Sequence, residues 1–156
     1  LEANRENFRS LYVRGLIYGY RNRTGDLTLA ENDFRRFTQW APKEWAGYND
    51  LAWILSKLAK HKEAKETIER AFREIPAEKD KNPWLWNAKG LAELNLQEYE
   101  TASASFGKAK ALAETLTIAD WGRSYPGNNP EQATEGLEAF RRAVEENLKR
   151  ARVDNR

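Results

Sequence analysis

The sequence predicts an all-α fold: a short solenoid of helix pairs closed by a C-terminal capping helix. Three observations predict it. Residues Trp45 to Pro76 read as two apolar patterns at helical spacing. Tyr48, Leu51, Ala52 and Leu55 form the first and Ala64, Ile68 and Ala71 the second; Lys60-His61-Lys62 separates them and Pro76 ends the pair. The second-helix signature then recurs, as Ala30/Phe34/Phe37, Ala64/Ile68/Ala71, Ala102/Phe106/Ala109 and Gly136/Phe140/Ala143. Corresponding members are offset by 34, 38 and 34 residues, which is the mark of a structural repeat. Finally, 40% apolar and 32% charged residues fit a soluble helical protein, and 156 residues are enough for one domain with a sizeable core.

The stretch from Trp45 to Pro76 resembles the tetratricopeptide repeat, whose motif runs W-x2-L-G-x2-Y, A-x3-F, P. Tyr48 stands in the Trp slot, Ala52 in the Gly slot, Leu55 in the Tyr slot and Ile68 in the Phe slot. The resemblance implies a right-handed α-solenoid, 1–156 as a single domain, with repeats at about 8–42, 45–76 and 83–116 and a degenerate fourth unit with a capping helix in 117–156.

Unit one carries Leu11, Gly15 and Tyr18 in the motif slots, with Arg14 replacing the Leu. Gly25-Asp26 signals its turn, and Thr28 with Glu31 three residues later predicts a capping box for the second helix. Pro42 lies twelve residues after Ala30, as Pro76 lies twelve after Ala64. The four-residue insertion before unit three falls in the polar stretch 77–82, where loops lengthen at least cost. Unit three has Trp86 and Gly90 in place, but Lys89 and Glu93 occupy slots for Leu and Tyr, so Leu85, Leu91 and Leu94 are expected to supply the apolar contacts. No proline ends this unit, which predicts a helix continuing through Leu112, Leu116 and Ile118 toward Trp121. Two prolines and two glycines between Trp121 and Pro130 predict an ordered loop there. From about Glu131 a last helix is expected, with Leu137, Phe140, Ala143, Val144 and Leu148 on one face. The small residues Ala64, Ala71 and Ala102 are expected at close helix crossings.

Composition and motifs exclude several chemistries. A net charge of +2 with no concentrated basic patch argues against a nucleic-acid partner. No apolar run is long enough to span a bilayer, so this segment is not expected to insert in a membrane. The chain begins at Leu1 and has no Met, which predicts a trimmed domain or processed chain. Without Cys and with His61 as the single His, the usual transition-metal sites and Ser-His-Asp triads lack their residues. No glycine-rich phosphate loop and no calcium loop is present. No catalytic group, metal or cofactor is predicted, and the expected role is non-enzymatic.

The resemblance implies that the first helix of each unit lines a concave groove that binds a protein or peptide. Positions at i, i+4 trace the groove-facing stripe. It comprises Tyr12, Leu16 and Tyr20 in unit one, Asn49, Trp53 and Lys57 in unit two, and Asn87, Leu91 and Asn95 in unit three, with Trp84 at that helix's start. Asn49 and Asn87 are 38 apart, in equivalent slots, and offer donors and an acceptor to an extended backbone. The family's clamp for a C-terminal carboxylate uses Lys, Asn and Arg; Lys57 and the two Asn match part of it, and unit three has no matching Lys–Arg pair. The alternative is a self-assembly module whose groove is filled by its own chain or by a second copy.

Overall fold

The computed structural model describes residues 2–124 and 132–154. Among these, eight α-helices and one 3-10 turn follow in order: α1 (Glu2–Arg21), α2 (Asp26–Trp40), α3 (Trp45–Lys57), α4 (His61–Glu74), the 3-10 turn Pro76–Asp80, α5 (Pro83–Asn95), α6 (Tyr99–Thr115), α7 (Ile118–Ser124) and α8 (Ala133–Asp154). The chain folds as two compact units, Leu1–Lys79 and Asp80–Arg156.

In the first unit each helix packs on the next, and α1 also touches α3. Ala30, Ala64 and Ala71 are fully buried, with Phe34, Phe37, Ile54, Leu55 and Ile68 filling the core around them. Tyr48 fills the motif's Trp slot completely buried, and its hydroxyl donates to the Pro42 carbonyl at 3.1 Å. The turn from α3 to α4 closes with the Lys60 amide on the Leu55 carbonyl at 2.8 Å and Ala59 at φ 58°. This is the left-handed helix stop that glycine usually supplies.

The departures from the motif are matched in pairs. Arg14, in a Leu slot, makes two bonds of 2.7 Å to Asp33, a buried residue of α2. Glu31 is buried as well and receives Lys60 and Arg35, with Arg35 also reaching Glu63. The expected Thr28–Glu31 capping box is not formed. Helix α2 starts three residues earlier, at Asp26 with Gly25 in the cap position, and the Asp26 carboxylate accepts from the Arg21 guanidinium and from the Arg23 amide. An acid in the first turn suits the helix dipole, so Asp26 sets the start and Thr28 lies exposed within the first turn.

In the second unit α5 packs on α6, and α8 packs on both α6 and α7. Asn82 caps α5, accepting the Leu85 amide at 3.0 Å, with Pro83 in the first turn. A Cβ at Gly90 would lie 2.6 Å from the Phe106 ring, so the motif's glycine lets α6 approach. Ala102 is fully buried beside it, as the sequence predicts. Glu93, in the Tyr slot, is fully buried and satisfied by Lys89 at 2.8 Å and the Ser105 hydroxyl at 2.6 Å. A buried charge is tolerable only when paired and hydrogen-bonded in this way.

Three expectations are corrected here. Helix α6 does not run on toward Trp121; it ends at Thr115, and Leu116 is extended. Thr117 and Asp120 then cap each other: the Thr117 hydroxyl accepts the Asp120 amide, and the Asp120 carboxylate accepts the Thr117 amide. That box starts α7, so Trp121–Ser124 is helical rather than loop; residues 125–131 lie outside those described. Helix α8 starts at Ala133, and its buried face is Ala133, Leu137, Val144, Leu148 and Ala151. Phe140 is half-buried and Ala143 is exposed. Arg141 turns back onto the end of α6, donating to the Ala113 carbonyl at 3.0 Å and the Leu116 carbonyl at 2.9 Å. Both lie at the end of α6, where carbonyls lack the amide of a following turn.

Candidate functional site

In the first unit α1 and α3 bring one face together. Gly19 makes the approach close: a Cβ there would lie 2.7 Å from the Trp53 ring. Half-buried Trp53 therefore lies across α1, and the Tyr20 ring sits 5.1 Å away, tilted by 46°. Tyr20 is 76% exposed, so this aromatic pair faces solvent. Lys57 extends over Trp53, its Nζ 5.0 Å from the ring centroid and 3.3 Å from the Gly19 carbonyl it donates to. Leu16 lies half-buried on the same stripe of α1.

One turn back along the face the chemistry is polar. The Tyr12 hydroxyl donates to Asp50 Oδ2 at 2.5 Å, while its ring packs on Phe34 and Phe37. Asn49 Nδ2 reaches Asp50 Oδ1 only at 3.5 Å. Burial pushes the Asp50 carboxyl up to about 6, against the opposing pull of the Tyr12 and Asn49 donors. The other acids in this unit's interior are treated differently. Hydrogen bonds from the Arg21 guanidinium hold Asp26 at about 2. Burial opposes ionisation of Glu31, but Lys60 and Arg35 outweigh it and lower its pKa. Asp33 has Arg14. Among the described residues, Asp50 has only the neutral donors Tyr12 and Asn49.

The corresponding stripe of α5 is largely covered by its own unit. Trp84 is 6% exposed, its ring 5.7 Å from Phe140 and 5.8 Å from Trp121. It is core, where the sequence placed it at the edge of a groove. The Asn87 side-chain oxygen accepts from Asn147 of α8 at 3.1 Å. Leu91 packs against the cluster of Leu94, Ala102, Phe106, Leu148 and Ala151. Asn95 is exposed.

The structure thus brings Tyr12, Tyr20, Asn49, Trp53 and Lys57 onto one face, and draws Trp84, Asn87 and Leu91 under α7 and α8. Sequence reasoning missed Asp50. The signal was present: it is the single acid in α3, a helix with one basic residue, Lys57, at its end. His61 opens α4 with its Nδ1 buried and without a hydrogen-bond partner. Among the described residues, no three His or acidic side chains cluster as a metal site would need, and no helix is long and apolar enough to cross a membrane.

A family model described as Tetratricopeptide repeat matches residues 46–78. No curated protein matches the chain by sequence. Among solved structures, the chain is similar to the TPR2B domain of yeast Sti1 from a TPR2B-domain:pHsp70 complex. The TM-score is 0.68 at 17% identity, covering 94% of this chain and 96% of that one. At that identity the likeness is one of fold. With a tetratricopeptide repeat in sequence at 46–78 and that fold over nearly all of its length, the chain is an all-α helical-repeat solenoid that contains a tetratricopeptide repeat.

Proposed function

We propose that the chain is a non-enzymatic scaffold that binds a protein or peptide, and that the α1/α3 face is the principal contact. The observation that carries this reading is the Tyr20–Trp53–Lys57 cluster, an exposed tyrosine against a half-buried tryptophan with a cation laid over the tryptophan. Aromatic side chains held rigidly at a surface dominate the energetics of protein recognition. Tetratricopeptide solenoids present extended binding surfaces of this kind, and the similar yeast domain forms a complex with pHsp70. On this reading 1–156 acts as one recognition domain with repeats at about 8–42, 45–76 and 83–116 and a degenerate unit and cap in 117–156. Tyr12, Leu16, Tyr20, Asn49, Trp53 and Lys57 form the contact surface of the first unit; in the second, the α5 stripe of Trp84, Asn87, Leu91 and Asn95 is by itself the weaker candidate, because α7 and α8 engage its first three residues.

The test is capture of partners from the source organism by the wild-type chain and by Trp53→Ala, Asn49→Ala and Lys62→Ala, with circular dichroism on each. Removing an aromatic anchor typically costs about 2 kcal/mol or more of binding, and removing one neutral hydrogen bond about 1. Trp53→Ala should release the partner most, Asn49→Ala partly, and Lys62→Ala, exposed on α4, not at all. Full capture by a folded Trp53→Ala chain would defeat the reading.

A further inference from the structure

We infer that the ligand of the α1/α3 face is a dipolar peptide: a basic side chain seats against the Asp50 carboxylate, an acidic group meets Lys57, and an apolar side chain between them packs on Trp53. This rests on the reading of that face as the ligand site. The two charges are the single acid and the single base of α3, at positions 50 and 57. Trp53 lies between them at spacings of three and four, so all three fall on one side of the helix.

The partners of each charge are neutral. Asp50 accepts from the Tyr12 hydroxyl and, at 3.5 Å, from the Asn49 amide. The second contact is at the outer limit of a hydrogen bond, so Oδ1 keeps its acceptor capacity. Lys57 has a backbone carbonyl and a π face. Asp26, Glu31 and Asp33, in the same unit, are each bound by Arg or Lys. A shielded carboxylate without a cation is destabilising, and a guanidinium or ammonium brought by the ligand would relieve it. Burial raises the pKa of the Asp50 carboxyl, and the two neutral donors offset this only in part.

Spacing sharpens the chemistry. Seven helical residues rise about 10 Å. A polyproline-type strand advances about 3.1 Å per residue with three residues per turn, so groups three apart lie about 9 Å apart on one side. A basic and an acidic residue three apart in an extended peptide therefore match Asp50 and Lys57, and of the two intervening side chains, which point about 120° to either side, one leans toward Trp53 and Tyr20. The order of the two charges in the peptide fixes its direction along α3.

The probe is a set of labelled synthetic peptides with capped ends, each holding an arginine and a glutamate around a leucine. The charges are placed two, three or five residues apart and in both orders, with citrulline or glutamine replacing each charge in turn. Binding to the full chain is read by fluorescence anisotropy. One order at spacing three should bind about tenfold tighter than its citrulline and its glutamine counterparts. Asp50→Asn, which keeps an acceptor for Tyr12, should erase the preference for arginine over citrulline and leave that for glutamate over glutamine. Lys57→Gln should do the reverse. If the peptides bind in a Trp53-dependent way but ignore the sign and spacing of their charges, the dipolar assignment is wrong and the face remains the site. If none binds, the face is not a peptide site and both readings fall.

Discussion

The two units start from the same helix pair and end with opposite uses of its first helix. In the first unit α3 turns Trp53 and Lys57 outward beside Tyr20, and Asp50 is left with neutral partners. In the second, α8 and α7 settle on α5: Trp84 is sealed under Phe140 and Trp121, Asn87 is given to Asn147, and the buried acid Glu93 is fully matched by Lys89 and Ser105. A repeat motif fixes which residues pack inside a helix pair. It does not fix whether the outer stripe of the first helix stays open, because that depends on what the rest of the chain lays over it.

The sharpest way to break this comparison is to truncate the two tryptophans. Trp84→Ala removes a buried ring and should destabilise by about 3–5 kcal/mol. Trp53→Ala removes a half-buried ring and should cost well under half of that while removing binding. Urea denaturation of both variants checks it; equal losses would mean that the α3 face is core as well.

The next comparison sets the two acids side by side. Glu93→Gln weakens a pair between a fully buried acid and a half-buried lysine and leaves Lys89 without a carboxylate, so a loss of about 2 kcal/mol is expected. Asp50→Asn should have the opposite sign near neutrality. The Asp50 carboxyl has a folded pKa raised to about 6 from 3.8, so the folded state holds the extra proton between those values. Its contribution to stability therefore falls as pH rises from about 4 to about 6. The stability difference between wild type and Asp50→Asn, followed by denaturation across that window, should move against the wild type as pH rises; a difference flat in pH would remove the claim that Asp50 is shielded and unmatched.

Smaller effects test the cover itself and the frame beneath it. Asn147→Ala deletes the neutral hydrogen bond that ties α8 to Asn87 and should cost about 1 kcal/mol in a thermal melt. Ala59→Gly should stabilise by about 1 kcal/mol or less, since Ala59 stops α3 at φ 58° and the lysine after it already makes the closing bond. Gln97, at φ 63° in the equivalent turn of the second unit, gives the matching variant.

What could be read in the sequence follows from the range of the forces involved. The recurring triplets of a small residue and large apolar ones, offset by 34, 38 and 34, state the helix pairs and their close crossings, because small residues suit places where backbones approach, and Ala64, Ala71 and Ala102 are indeed fully buried. Arg14 and Glu93 look like defects when each is taken alone; their partners Asp33 and Ser105 lie on the facing helix. The start of α7 is masked in sequence by Pro126 and Gly127, when Thr117 and Asp120 three residues apart are the local signal. The stripe at 12, 16, 20, 49, 53 and 57 followed from helical spacing. That α8 would reach across sixty residues to Asn87 did not, since no periodicity encodes which polar side chain of a capping helix turns inward.

The central claim is that the open face of α1 and α3 is where this chain meets its ligand. It is tested most directly by titrating the isotope-labelled chain with the best peptide of the charged set and following the indole N–H signals of its six tryptophans by NMR. The Trp53 indole signal should shift first and furthest, with backbone amides around Tyr20 and Asp50, while the Trp84 indole stays in place. Shifts confined to Lys65, Glu69 and Arg73 on α4, with Trp53 unmoved, would contradict the account.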